Sequence, residues 1–146
     1  EVDFDELVQS HLNDFQVLNK SRIVTTSIPN DCFVSGSREH LNRLIQNSLS
    51  NIVRHTPSDA PVSVSLRNIG KRAELKIEDG GPGLPESAYG SEIKAMNRFD
   101  PSRSRESGGS GLGLSIMAAI VLEHNGELEL GKSDLGGLAV TIRIPI

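Results

Sequence analysis

Asn47 and Asn51 stand four residues apart, so on a helix they share one face about 6 Å apart along the axis, with Arg54 close to one turn beyond. Neutral amides at that spacing can offer oxygen to a hard cation and NH2 groups to phosphate oxygens, and Arg54 adds a fixed positive fork. Asparagine is a poor helix former, so a pair of them beside an apolar stripe gives up propensity for some gain. Loop capping or solvent exposure is the plainer account of the same pair. Asp79-Gly80-Gly81-Pro82-Gly83 follows a β-like run directly. A carboxylate anchored there can accept a hydrogen bond from an exocyclic amine, while Gly81 and Gly83 let a ligand lie against bare backbone. A simple turn competes with that reading, since Asp-Gly and Pro-Gly are ordinary turn pairs. Gly108-Gly109-Ser110-Gly111-Leu112-Gly113-Leu114 opens a helical pattern, and free N–H groups at a helix start attract phosphate. It is neither a Walker loop, lacking Gly-Lys-Ser/Thr, nor a dinucleotide fingerprint, lacking a preceding strand. Arg98, Arg103 and Arg105 crowd the segment before these glycines and could grip phosphate oxygens or simply be solvated.

Composition narrows the partners. The chain has 146 residues, 36% hydrophobic and 23% charged, which suits one compact domain over 1–146. Aromatics are 3% and the net charge is -4, so base stacking and broad polyanion binding have little to work with and no nucleic-acid partner is expected. Cys32 is alone, which excludes an intrachain disulfide and a thiolate zinc cluster and suggests a reducing compartment. The four histidines lack metal-ligand spacing and read as surface or capping residues. No run approaches the length of a membrane span, and the first residues have no signal-peptide pattern, so no membrane contact is expected of this segment. With no initiator Met, the chain reads as an excised piece of something longer, cytoplasmic, whose parent could be membrane-anchored.

The elements that must hold these residues follow from periodicity. Leu7, Val8, Leu12, Phe15 and Leu18 predict a first helix, capped by Asp3 or Asp5. Arg22 to Ile28 and Cys32 to Val34 predict a hairpin about Pro29-Asn30-Asp31. Ser37 can cap a second helix, with Leu41, Leu44, Ile45, Leu49 and Ile52 on one face and Pro57 beyond its end. Alternation over 62–66 and 73–78 about Ile69-Gly70-Lys71 predicts two antiparallel strands. Residues 80–111 read as a long functional or disordered loop with a short helix near Ser91 to Met96. Leu112 to Glu123 predicts a third helix closed by Asn125-Gly126, and two strands follow about Leu135-Gly136-Gly137. The expected fold class is α/β: a two-layer sandwich of a mixed, mostly antiparallel sheet against about three helices.

Three segments taken in order carry a resemblance. Asn47-Ser48-Leu49-Ser50-Asn51-Ile52-Val53-Arg54-His55-Thr56-Pro57 resembles the N box of sensor histidine kinases, Asp79-Gly80-Gly81-Pro82-Gly83 their G1 box, and Gly109-Ser110-Gly111-Leu112-Gly113-Leu114 their G2 box. The similarity covers essentially the whole chain. It implies the catalytic and ATP-binding domain of a two-component histidine kinase, with the Bergerat fold shared with gyrase, heat-shock chaperone and mismatch-repair ATPases and with a long ATP lid.

By that resemblance the chain binds ATP with Mg2+ and passes the γ-phosphoryl group to a phosphoacceptor histidine domain, with a response regulator downstream. Asn51 would ligate Mg2+, with Asn47 helping to hold metal or phosphate; Arg54 would contact phosphate and His55 the ribose or base. Asp79 would accept from the adenine amino group, with Gly81 and Gly83 against the ring. Gly109, Gly111, Leu112, Gly113 and Leu114 would form the lid hinge and the wall at the phosphates. The related ATPases carry Glu where this chain has Asn47, and an amide cannot act as a base at neutral pH, which favours transfer over hydrolysis. The F box departs from the family pattern: Met96-Asn97-Arg98-Phe99-Asp100-Pro101 keeps Phe99 without the aromatic-basic continuation. Arg98, Arg103 and Arg105 all remain candidates for the catalytic phosphate contact. No His lies in an acceptor-type stretch, so the fragment should not phosphorylate itself. Two alternatives are a nucleotide-binding adaptor without transfer and an anti-sigma-type serine kinase of related fold.

Overall fold

The computed structural model describes residues 1–82 and 110–146, with the backbone alone at 110–114. Along the chain it runs β1 (Val2–Asp3), α1 (Phe4–Leu18), β2 (Val24–Ser27), β3 (Phe33–Val34), α2 (Arg38–His55), β4 (Val62–Ile69), β5 (Arg72–Asp79), α3 (Ser110–Glu123), β6 (Glu127–Lys132) and β7 (Leu138–Pro145). Five strands form one sheet in the order β2-β4-β5-β7-β6, and β1 with β3 forms a separate two-stranded ribbon. Among the described strands, only β2 and β4 run parallel within the larger sheet. The result is the expected mixed, mostly antiparallel sheet under three described helices.

Alternation decides which face of the sheet meets the helices. Val62, Val64 and Leu66 are paired across the ladder with Asp79, Ile77 and Leu75, and Leu75 and Ile77 in turn with Ile142 and Val140. These residues are buried and, apart from Asp79, form one apolar core with Leu128, Leu130 and the inner faces of α1, α2 and α3. Leu41, Leu44, Ile45, Leu49 and Ile52 are the buried stripe of α2. Each such aliphatic side chain contributes about 1.5–3 kcal/mol on burial, which holds the polar shoulder of that helix in a fixed orientation. Because side chains alternate with a period of two, Asp79 ends β5 on the helix-facing side.

The caps were legible in advance. Asp3 accepts from the Glu6 N–H at 3.2 Å and Ser37 from the His40 N–H at 3.2 Å. Beyond α3, Asn125 takes a positive φ of 59° and the Gly126 N–H donates to Val121 O at 2.9 Å. Gly70, at φ 60°, turns β4 into β5 as the first residue of a two-residue loop.

The hairpin expected between Arg22–Ile28 and Cys32–Val34 does not form. β2 lies parallel to β4, with Val24 opposite Val62, whereas Phe33–Val34 pairs with Val2–Asp3. Asp31 adopts φ 62°, after which the Cys32 N–H donates to Asp5 Oδ1 at 2.9 Å and Cys32 O accepts from the Phe4 N–H at 2.9 Å. The start of α1 thus captures the chain that would have returned beside β2. Of the two roles expected for the histidines, His124 takes the capping one, and it does so buried. Its Nε2 accepts from the Ser37 N–H at 3.1 Å, so its Nδ1 carries the proton donated to Ile120 O at 2.7 Å. This ties the end of α3 to the start of α2. A Cβ on Gly36 would overlap the imidazole ring, so glycine is required there.

Candidate functional site

Asn47 and Asn51 lie on α2, Asn51 against Met117 of α3, while Asp79 and Gly81 form the turn after β5 that meets Thr56 at the end of α2. Asn47 and Asn51 are both half-buried on α2 where it packs against α3. Met117 of α3 is fully buried, and its sulfur accepts from Asn51 Nδ2 at 3.6 Å and from Ser48 Oγ at 3.8 Å. A thioether only accepts, so Asn51 turns its nitrogen to Met117 and keeps Oδ1 for another partner. Asn47 Nδ2 is buried and finds no hydrogen-bond partner among the described residues. An orphaned buried donor costs about 1–3 kcal/mol and asks for an explanation such as an absent ligand.

Thr56 caps α2 five residues after Asn51, about 7.5 Å further along the axis. Its side chain meets the turn after β5, where a Cβ on Gly81 would stand 2.5 Å from Thr56 Cγ2. Asp79 is 7% exposed, and its Oδ1 accepts from the Gly81 N–H at 2.9 Å and the Leu138 N–H at 3.3 Å. Asp79 O accepts from the Gly137 N–H at 3.1 Å, and a Cβ on Gly137 would overlap Oδ1. Oδ2 makes no hydrogen bond among the described residues. A carboxylate with one oxygen fixed by backbone and the other unspent is an oriented acceptor for an N–H donor.

Arg54 and His55 are exposed on the last turn of α2. Gly111, Leu112, Gly113 and Leu114 lie in the opening of α3, which starts at Ser110, two residues before the expected start. The N–H groups of a first helical turn have no partner within the helix, as phosphate binding requires. Gly83, Arg98, Phe99, Arg103, Arg105 and Gly109 lie outside the described residues, as does the helix expected near Ser91 to Met96. Met117, Thr56 and Gly137 escaped the sequence reading. Met117 scans as an apolar stripe residue and Gly137 as half of a turn, and neither shows its polar neighbour in one dimension.

Among the described residues, no group of three or more His, Cys, Asp or Glu could hold a metal ion. A hard cation here would need amide and ligand oxygens, and Asn51 Oδ1, which makes no hydrogen bond among the described residues, fits that donor type. Two surface depressions of about 460 and 520 Å³ lie along α1, and neither is lined by Asn47, Asn51 or Asp79. No described helix is long and apolar enough to cross a membrane.

Residues 36–146 match the family described as histidine kinase-, DNA gyrase B- and HSP90-like ATPase, and the chain belongs to that family. It is 35% identical over 120 residues to the signal transduction histidine-protein kinase BaeS of Escherichia coli (strain K12), covering 82% of this chain and 26% of that protein. Among solved structures, the mycobacterial sensor histidine kinase MprB superposes with a TM-score of 0.74 at 30% identity, covering 99% of this chain and 95% of that one. The ATP-binding domain of PrrB from Mycobacterium tuberculosis gives 0.76 at 26% identity, with 99% and 94% covered. The fold is thus the Bergerat ATPase fold of sensor kinases. The chain spans between 23% and 38% of the length of the first curated relatives it matches.

Proposed function

We propose that this chain is the catalytic and ATP-binding domain of a histidine protein kinase, which binds MgATP and donates the γ-phosphoryl group to a histidine on a separate phosphoacceptor domain. One observation carries the nucleotide reading: Asp79 is buried with Oδ1 held by two backbone N–H groups, and Oδ2 remains for the adenine amino group. Gly81, and Gly83 after it, bring bare backbone to the ring.

Asn51 Oδ1 and the Asn47 amide would hold the metal and the phosphate oxygens, which gives the orphaned Asn47 Nδ2 an acceptor. Magnesium, when bound, neutralises phosphate charge. Arg54 on the exposed end of α2 contacts phosphate, and His55 lies towards the ribose or base. Gly109, Gly111, Leu112, Gly113 and Leu114 supply free N–H groups and the wall beside the triphosphate. Phe99 contributes to ATP binding, and one of Arg98, Arg103 and Arg105 contacts the transferring group. The acceptor imidazole nitrogen forms the P–N bond as the bond between the γ-phosphorus and the bridging oxygen breaks, and ADP departs. The domain contributes position and charge neutralisation, without a covalent bond of its own. Asn47 cannot activate water as a base, which suits transfer over hydrolysis. A response regulator takes the phosphoryl group next, and the reaction draws on cytoplasmic ATP, so we assign the domain to that compartment.

The test mixes the chain with a separately produced acceptor domain of its parent and γ-labelled ATP. Label that is stable to alkali and lost in acid, as phosphohistidine is, supports the reading. ATP binding with an unlabelled acceptor would make the chain an adaptor, and alkali-labile phosphoserine would make it a serine kinase.

A further inference from the structure

Arg22 is 7% exposed, and among the described residues no carboxylate pairs with it. Its Nε is buried without a hydrogen-bond partner, and Cζ stands 6.0 Å from the centroid of the Phe15 ring. Burying a guanidinium without a counter-charge is expensive, so the bonds it does make carry weight. Both come from Nη1, which donates to Thr56 Oγ1 at 2.9 Å and to Ala60 O at 3.0 Å. These acceptors belong to the two walls of the turn that follows Asp79. Thr56 Cγ2 lies where a Cβ on Gly81 would need to be. Pro61, next to Ala60, would stand 2.6 Å from a Cβ on Gly80, and its carbonyl accepts from the Gly80 N–H at 3.0 Å. One nitrogen therefore ties together the two stretches of chain between which residues 80 and 81 are held.

We propose that Arg22 is a positioning residue for the purine end of the nucleotide site, setting the gap between Thr56 and Ala60–Pro61 and through it the turn that orients Asp79. The inference rests on the functional reading above. Arg22 acts on Asp79 through the backbone and not on the phosphates, so its loss should weaken nucleotides with and without Mg2+ alike. Lysine also carries its donors on one nitrogen but on a shorter stem without the planar guanidinium, so it restores the tie only in part.

The experiment is calorimetric titration of the 146-residue chain with ADP, well below its melting temperature, for wild type, Arg22→Met, Arg22→Lys, Thr56→Val and Asp79→Asn. Arg22→Met should weaken ADP about tenfold, with and without Mg2+, and Arg22→Lys should recover part of that. Added to Asp79→Asn, Arg22→Met should cost less than about twofold, because the two act on one contact. A purely structural role would lower the melting temperature and leave the affinity of the folded protein unchanged, which overturns the proposal, as would a full and additive loss in the Asp79→Asn background. If Arg22→Met does not fold, Thr56→Val, which removes the acceptor for Arg22 along with the hydroxyl's own bond to Ile52 O and keeps the methyl beside Gly81, must weaken ADP, and unchanged affinity there overturns it. Failure of the wild-type chain to bind ADP would overturn the functional reading and this inference with it.

Discussion

Glu74 and Asp79 sit five residues apart on β5 and are almost equally buried, at 8% and 7% exposure, yet their oxygens are treated oppositely. Glu74 faces away from the helices and has both oxygens taken: Arg67 Nη2 donates to Oε1 at 2.6 Å and Arg143 Nε to Oε2 at 3.0 Å. Arg143 extends the array to Glu129 at 3.1 Å. Asp79, on the other parity of the same strand, has one oxygen fixed by backbone and, among the described residues, one unspent. On α2, among the described residues, Asn47 Nδ2 has no partner and Asn51 gives its nitrogen only to a thioether. On the proposed function, the saturated carboxylate is structural, and the one anchored on one side and open on the other is there for recognition. Of these atoms Asn47 Nδ2 is the buried one without a partner, and leaving it so costs free energy.

The largest effect that could break this contrast is at Asp79. Asp79→Asn should weaken ATP by about 1.5–3 kcal/mol, roughly ten- to a hundredfold, with the fold retained by circular dichroism. A lowered melting temperature with unchanged affinity would make Asp79 another Glu74. The converse variant, Glu74→Gln, should leave ATP affinity alone and lower stability to urea by about 1.5 kcal/mol, at the low end for a charged hydrogen bond because Arg67 keeps its outer side in water. The pH dependence carries a sign. The hydrogen bond from Arg67, and then that from Arg143, holds the Glu74 carboxyl below its ordinary value of 4.5 against the opposing effect of burial. Its stabilisation is therefore present above pH 4.5 and lost as pH falls through the depressed folded value. Acid unfolding should be shallower in Glu74→Gln, and an unchanged acid limb would remove Glu74 from the account.

A smaller effect separates metal from base recognition. Asn51→Ala should abolish most of the Mg2+ dependence of ATP affinity, a change of about 1 kcal/mol, while leaving affinity without Mg2+ nearly intact. Retained metal dependence would take Asn51 out of the ligand set. The smallest effect is at Cys32, fully buried, whose thiol is pushed up to about 11 by burial and then by Asp5 and Asp3. Its contribution is present below the ordinary value of 9.0 and lost as pH rises towards 11. The thiol should resist a disulfide reagent in the folded chain at neutral pH and react on unfolding; ready labelling of the native protein would contradict that burial.

Much of this was legible in one dimension where period and chemistry agree. The parity of Ala73, Leu75 and Ile77 fixes the face on which Asp79 emerges, and the stripe from Leu41 to Ile52 sets Asn47 and Asn51 on its shoulder. Pairing partners were less legible. The β-favouring stretches at 22–28 and 32–34 were recognised as extended, but alternation does not say which strand lies alongside, and Asp5 and Phe4 captured Cys32. Arg22 was invisible for another reason: a lone arginine in sequence looks solvated, and only the fold brings Phe15, Thr56 and Ala60 around it. His124 is similar, since its acceptor role depends on the Ser37 N–H, 87 residues away.

The central claim is that Asp79 Oδ2 is the reader of an exocyclic amine at the purine site. Paired calorimetric titrations of the wild-type chain with MgATP and MgGTP test it most directly, because GTP sets a carbonyl oxygen where ATP carries the amine. The account predicts that ATP binds at least about tenfold more tightly, since an acceptor facing an acceptor leaves both unsatisfied. Equal affinity for the two nucleotides would contradict it.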